Sequence, residues 1–102
     1  MKILIIGEKE KIFPFQGLGV DIFFVKEKED FKKAKAKLDQ ENYGLVFITQ
    51  TIAKSYEKDL EDYFKKTLPA ILVIPTLGEK SSEIYVRKIL EKALGSEKLI
   101  FQ

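Results

Sequence analysis

Few side chains in this sequence have the chemistry that catalysis or metal binding requires. The chain contains no cysteine and no histidine, which removes thiolate nucleophiles, disulfides, the commonest metal ligand and the commonest general base. Ser81 and Ser82 are adjacent hydroxyls, but a serine nucleophile needs a base beside it, and no histidine can serve. We therefore interpret the serine pair as a helix cap and expect no catalytic residue, no metal ion and no cofactor.

Two glycines, Gly17 and Gly19, resemble the beginning of a dinucleotide-binding fingerprint. Ile22 stands where the third glycine of that fingerprint should be, and no helix is predicted to begin there and meet a pyrophosphate. We interpret the glycines as a turn that leads into a strand. A phosphate loop of the Gly-Lys-Ser/Thr type is also absent from the sequence.

Length and charge favour one domain in the cytoplasm. A chain of 102 residues can bury a single core. The 18 basic and 16 acidic residues nearly balance, and Arg87 is the only arginine, a pattern typical of a solvated surface and not of a nucleic-acid interface. The apolar runs are as short as strands, so neither a membrane span nor a signal peptide is expected.

Apolar runs at four places are typical of β-strands. The runs cover residues 2–6, closed by Gly7, then 20–25, 45–48 and 70–74. The first and the last are continuous enough to predict buried strands, and Pro69 and Pro75 bracket the last one. Residues 8–19 hold apolar side chains among glycines and a proline, so we expect a loop there with at most a short helix.

Helical periodicity follows the second, third and fourth strands. We expect Asp30 to cap the first of these helices, Thr49 or Thr51 the next, and Ser81 or Ser82 the last, which runs to Leu94. The predicted apolar stripes are Phe31, Ala34 and Leu38; Ile52, Tyr56, Leu60, Tyr63 and Phe64; and Val86, Ile89, Leu90 and Ala93.

The alternation of strands and helices predicts an α/β three-layer sandwich. Its four strands should form a parallel, flavodoxin-like sheet in the order 2-1-3-4, so that the second and fourth strands are edges. We expect residues 1–78 to form the α/β core and residues 79–102 to form a C-terminal helix and tail.

Ligands of such sheets bind at the carboxyl ends of the strands. A pocket there would contain Glu8, Gln50 and Thr76, so a small regulatory module that binds a ligand remains an alternative. A phosphorylatable receiver is disfavoured because Thr49 stands where the phosphate-accepting aspartate should be, and no fifth strand supplies a lysine. An enzyme of phosphate chemistry lacks suitable acids.

The last helix has more apolar surface than one small core requires. Ile84 and Tyr85 lie partly off the stripe that faces the core, so this helix is expected to have two neighbours, of which one is another protein. The tail contains Leu99, Ile100 and Phe101, which either fold back onto the core or anchor a partner.

Hydrophobic motifs occur in a characteristic order along nearly the whole chain. They cover residues 2–7, 15–20, 43–53 and 68–75, and end with Ile84-x-x-Arg87-x-x-x-Glu91-x-Ala93-x-Gly95. In this order and spacing the chain resembles the F subunit of archaeal and bacterial V-type rotary ATPases, the small subunit of the central stalk.

The resemblance implies a non-catalytic rotor subunit without cofactors. Its partners would be the coiled-coil D subunit and the catalytic hexamer, with the complex linking it to the cytoplasmic face of the membrane. The resemblance also implies that the C-terminal helix moves and regulates ATP hydrolysis. The residues expected to contact partners or to regulate are Ile84, Tyr85, Arg87, Lys88, Glu91, Leu94, Ile100 and Phe101.

Specific ion pairs are expected for two charged residues of that set, Arg87 and Glu91. Arg87 is expected to pair with a carboxylate of the partner, because a guanidinium can bind a carboxylate through two hydrogen bonds. For Glu91, an intrahelical ion pair with Arg87 is the favoured alternative, since the two stand four residues apart.

Overall fold

The computed structural model describes residues 2–67, 69–75 and 79–93, the side chains of residues 79–83 and 93 excepted. The strands are β1 (Ile3–Gly7), β2 (Asp21–Phe24), β3 (Leu45–Thr49) and β4 (Ala70–Ile74). The helices are α1 (Lys9–Ile12), α2 (Lys28–Gln40), α3 (Gln50–Ser55), α4 (Glu57–Phe64) and α5 (Glu79–Ala93), and a 3-10 turn, Phe13–Phe15, continues α1.

The sheet is parallel throughout and has the order β2-β1-β3-β4, which confirms the predicted fold and both predicted edges. Every residue of the central strands β1 and β3 is buried. In β4 only Ile74 is buried, and Ala70 is exposed. The prediction of a buried fourth strand is therefore wrong for most of its length, because the strand has a neighbour on one side only.

Each face of the sheet has its own hydrophobic core. On one face, Leu4, Ile6 and Val46 pack under buried residues of α2, α3 and α4. On the other, Ile5 and Phe47 pack under α1, the 3-10 turn and α5. The irregular segment after β1 thus covers this face of the sheet with a short helix and a 3-10 turn.

Two helices begin earlier than their predicted caps. The helix α2 starts at Lys28, and the carboxylate of Asp30 in its first turn accepts hydrogen bonds from the backbone N–H groups of Lys26 (2.9 Å) and Glu27 (3.0 Å). Asp30 therefore stabilises the helix start from within the helix. The helix α5 starts at Glu79, so Ser81 and Ser82 are helical residues and the prediction that either caps the helix is wrong.

The single helix predicted after β3 is two helices. Tyr56 interrupts it with φ −121° and ψ 33°, and its ring stacks on that of Phe31 at 4.1 Å between centroids. Leu60 and Tyr63 are buried as predicted, but Phe64 is 47% exposed. The prediction for Phe64 is wrong: Phe64 is the last residue of α4 and lies at the border of the stripe that Leu60 and Tyr63 form.

Candidate functional site

The inner face of α5 is fixed to the sheet. Val86 and Leu90 are completely buried in the core that contains Phe47 and Ile74, while Tyr85 and Ile89 are partly buried against the same core. This confirms the predicted inward stripe for the residues whose side chains are described. Four apolar contacts over two helical turns leave the opposite side of α5 facing outward.

Three exposed residues of α5, one of them large and apolar and two charged, lie together on its outer side. Ile84 is 53% exposed, and Lys88 and Glu91 are also exposed. At 100° per residue these three side chains fall within an arc of about 60°, so they form one row along the helix. We call Ile84, Lys88 and Glu91 the outer row.

The other predicted partner residues have different surroundings. Tyr85 contributes to the core and lies at the border of the outward side. Arg87 is half-buried and already has an interaction within the chain, so its predicted pairing with a partner stays a prediction. Leu94, Ile100 and Phe101 lie outside the described residues.

A polar cluster occupies the carboxyl ends of β1 and β3. The carboxylate of Glu8 accepts a hydrogen bond from the Thr49 hydroxyl at 2.5 Å and pairs with the Lys11 ammonium at 2.8 Å. Lys11 also donates to the Thr51 hydroxyl at 3.2 Å. Thr49 stands at the start of α3, as predicted, but its hydroxyl does not cap that helix.

The Glu8 carboxylate is stabilised as an anion by this cluster. Burial is the largest single influence and raises its pKa, but the hydrogen bonds from Lys11 and Thr49, together with the charge of Lys11, outweigh burial and lower the pKa overall. Both carboxylate oxygens already have partners inside the chain. Of the other two residues of the predicted ligand pocket, Gln50 has an interaction within the chain and Thr76 lies outside the described residues.

Two tyrosines at the opposite end of the sheet have hydrogen-bond partners that the sequence does not indicate. The Tyr43 hydroxyl donates to Asp21 at 2.6 Å, and the Tyr63 hydroxyl donates to Asp39. Burial, followed by the hydrogen bond to the carboxylate, raises the pKa of each tyrosine to about 12. The hydroxyl of a buried tyrosine requires a partner, but the sequence does not show which carboxylate lies nearby.

The cleft beside these tyrosines has a volume of about 430 Å³ and also contains Lys2 and Glu41. Lys2 and Lys37 both bind the Glu41 carboxylate, the latter at 2.8 Å. The Glu41 carboxylate is therefore fully engaged within the chain. Such pairing favours a structural role for this end of the sheet.

The described part of the chain has neither a cluster of metal-binding side chains nor a helix that could span a membrane. Residues 2–67, 69–75 and 79–93 contain no group of three or more acidic residues close enough to hold a metal ion. None of the helices within those ranges is long and apolar enough to cross a membrane.

Comparison with known proteins identifies the family. The family model described as ATP synthase (F/14-kDa) subunit matches residues 3–92. The F subunit of the V-type ATP synthase of Clostridium botulinum (strain Eklund 17B / Type B) is 36% identical over 97 residues, which are 92% of this chain and 93% of that protein.

Two further relatives are also F subunits of V-type ATP synthases. The one in Fusobacterium nucleatum subsp. nucleatum is 33% identical over 99 residues, covering 94% of this chain and 93% of its own length. The one in Clostridium perfringens (strain 13 / Type A) is 35% identical over 97 residues, covering 92% of this chain and 91% of its own length. The chain therefore belongs to the family of the ATP synthase (F/14-kDa) subunit, as an F subunit of the V-type ATP synthases.

Proposed function

We propose that this chain is a non-catalytic subunit of the central stalk of a V-type ATPase that translocates protons or sodium ions. In this role it binds the long D-type stalk subunit on the cytoplasmic side of the membrane. Through α5 it helps to couple or regulate ATP turnover in the catalytic hexamer. Its family membership supports the proposal at the level of the complex.

The outer row of α5 is the observation that carries the partner assignment. Burying Ile84, which is 53% exposed, would add a favourable apolar contact of about 1 kcal/mol. Lys88 and Glu91 stand on either side of Ile84 on the helical wheel and can pair with opposite charges of a partner. Along the helix axis the row runs from Ile84 through the cation of Lys88 to the anion of Glu91, and this asymmetry favours one direction of a docked partner helix.

The chemistry of the remaining surface supports a non-catalytic role. The carboxylate of Glu8, which directly follows β1, is engaged by Thr49 and Lys11 within the chain. A general base or nucleophile needs an available proton acceptor beside the reacting group. ATP hydrolysis is therefore assigned to the other subunits of the complex.

Movement of α5 would be controlled by its partner. We propose residues 79–102 as the regulatory unit and residues 1–78 as the core that carries it. Detaching α5 would expose Val86 and Leu90, at a cost of about 1.5–3 kcal/mol for each side chain. Only a partner that binds the detached helix better than the packed one can shift this equilibrium.

The proposal is tested by assembling the V-type complex of the same organism with and without this chain. The isolated chain should hydrolyse no ATP. The complex without it should show weaker coupling between hydrolysis and ion transport, and adding the wild-type chain should restore the coupling. A complex that behaves identically with and without the chain would overturn the proposal.

Charge reversals identify the surface that restores coupling. Lys88→Glu in the outer row should restore coupling less well than the wild-type chain, because it repels the carboxylate expected on the partner. Lys54→Glu is the matched control, since Lys54 is also an exposed helical lysine but lies in α3. Equal loss in both variants would assign the effect to net charge and would contradict a role of the outer row.

A further inference from the structure

The strand β2 is an edge strand with an unpaired side. Its neighbour is β1, with Ile5 opposite Ile22 and Gly7 opposite Phe24. No described residue pairs with the other side of β2. That side is a row of backbone donors and acceptors, which can accept another strand.

The register determines which residues of β2 have unpaired backbone groups. The N–H of Val25 donates to the carbonyl of Gly7 at 2.8 Å, so Val25 directs its N–H toward β1. In a parallel strand, alternate residues direct their backbone groups to alternate sides. Phe23 therefore also bonds β1, whereas the N–H and C=O groups of Ile22 and Phe24 point away from the sheet.

The opposite edge of the sheet is protected, whereas that of β2 is not. Pro69 and Pro75 stand immediately before and after β4, and proline is a common device that blocks pairing at an edge. The residues in the same two positions beside β2 are Val20 and Val25, and three of the four residues of the strand itself, Asp21–Phe24, are apolar. All four residues are half-buried.

The side chains beside this edge favour an apolar extended segment. Ile22 and Phe24 lie on the face that α5 covers, and Phe23 lies on the other face, so apolar surface is available on both. A cleft of about 390 Å³ adjoins the start of the strand, lined by Val20 and Ile22 among others. These features provide space for alternate side chains of an added strand.

A positive charge marks one end of the edge. The ammonium of Lys9 lies 5.9 Å from the centre of the Phe24 ring, and none of the described carboxylates forms an ion pair with it. An acidic residue of an added strand would be attracted to this position. The expected occupant is therefore extended, apolar at alternate positions and acidic at the end near Phe24.

We infer that the free edge of β2 binds an extended segment of another subunit of the V-type complex, which joins the sheet as a fifth strand. This inference rests on the proposed function, because the partner is sought within that complex. The backbone groups of Ile22 and Phe24 provide the hydrogen bonds. Lys9 determines which end of the segment lies beside Phe24.

Proline substitutions test the edge directly. Ile22→Pro and Phe24→Pro each remove one outward N–H and leave the bonds to β1 in place. The binding partner in this test is the V-type complex that lacks this chain. Each substitution should weaken binding to it about fivefold to tenfold, the effect of one hydrogen bond of about 1 kcal/mol. The matched control is Val73→Pro in β4. The N–H of Ala70 points toward β3, and backbone groups alternate along a strand, so the N–H of Val73 points outward.

Hydrogen exchange provides a second readout that needs no substitution. The amides of Ile22 and Phe24 should exchange quickly in the isolated chain and about tenfold more slowly in the complex. The outward amides of Ile71 and Val73 should change little. Slow exchange at Ile22 and Phe24 in the isolated chain, together with dimers in sedimentation, would identify a second copy as the occupant and overturn the inference.

The outcomes separate this inference from the proposed function. If the wild-type chain joins the complex and the proline variants at positions 22 and 24 join it equally well, the edge inference fails and the stalk function stands. If the wild-type chain does not join the complex, both fail. Lys9→Glu should weaken binding about as much as either proline, and unchanged binding would contradict the assigned direction of the segment.

Discussion

At the scale of single residues, Gly7 has no space for a side chain. A β-carbon added at Gly7 would lie 2.5 Å from the Thr49 methyl group and 2.9 Å from a methyl group of Ile12. Thr49 and Ile12 are both buried, so neither can move aside easily. Gly7 therefore permits the close contact between β1, β3 and α1 at the carboxyl ends of the strands.

We predict that Gly7→Ala lowers the free energy of unfolding by about 1–3 kcal/mol, the usual cost of overpacking a core. Urea denaturation of the wild-type and variant chains measures this difference. Gly17→Ala is an informative comparison, because nothing lies within 4 Å of the added carbon and only the positive φ of +86° opposes it. A loss under about 0.5 kcal/mol for Gly7→Ala would contradict the close packing.

Glu41 gives a prediction for the pH dependence of stability. Hydrogen bonds from Lys2 and then Lys37 lower its pKa from 4.5 to about 2. Between these values the unfolded chain binds more protons at this position than the folded chain, so stability falls as the pH falls from about 4.5 through about 2. Glu41→Gln should lose less stability over this range than the wild-type chain.

Acid titration of the unfolding free energy at low salt tests this prediction. Glu61→Gln is the control, since Glu61 is exposed and forms no ion pair with the described residues. Added salt should reduce the difference between wild type and Glu41→Gln, because the ion pairs are at the surface. Identical acid profiles for the wild-type chain and Glu41→Gln at low salt would disprove the stabilising role of this pairing.

At the scale of elements, α5 combines a structural face with an outer row. Leu90 is completely buried, so Leu90→Ala should lower the free energy of unfolding by about 2–5 kcal/mol. Ile84→Ala should change it by less than about 0.5 kcal/mol, because Ile84 already faces water. Thermal or urea denaturation of both variants separates the two faces. Equal losses would show that both residues belong to the core.

The sequence predicts the type of most elements but not all of their limits. The stripe of Val86 and Leu90 is regular enough to predict the inner face of α5. The first residue of α5 is not predictable in the same way. Ser81 and Ser82 are strong capping residues and indicate a start there, but the helix begins at Glu79, two residues before Ser81. The break at Tyr56 is not predictable either, because the ring stacking that accompanies it involves Phe31, which is distant in sequence.

At the scale of the whole molecule, the parallel sheet and its strand order follow from the alternation of strands and helices. The candidate site is predictable in part. Ile84 lies off the inward stripe in the sequence, which indicates its exposure, whereas the pairing of Glu8 with Thr49 needs two strand ends to meet in space. Hydrogen bonds between distant side chains depend on tertiary structure, so periodicity alone does not reveal them.

The central claim is that the outer row of α5 binds the central stalk. Its most direct test is a calorimetric titration of the D-type stalk subunit of the same organism with three forms of the full chain: wild type, Ile84→Glu and Phe64→Glu. Phe64 is the matched control because it is 47% exposed on α4, which covers the other face of the sheet. We predict one-to-one binding that Ile84→Glu weakens at least about tenfold, a loss of about 1.4 kcal/mol, and that Phe64→Glu leaves unchanged. Equal affinity of Ile84→Glu and the wild-type chain would contradict the claim.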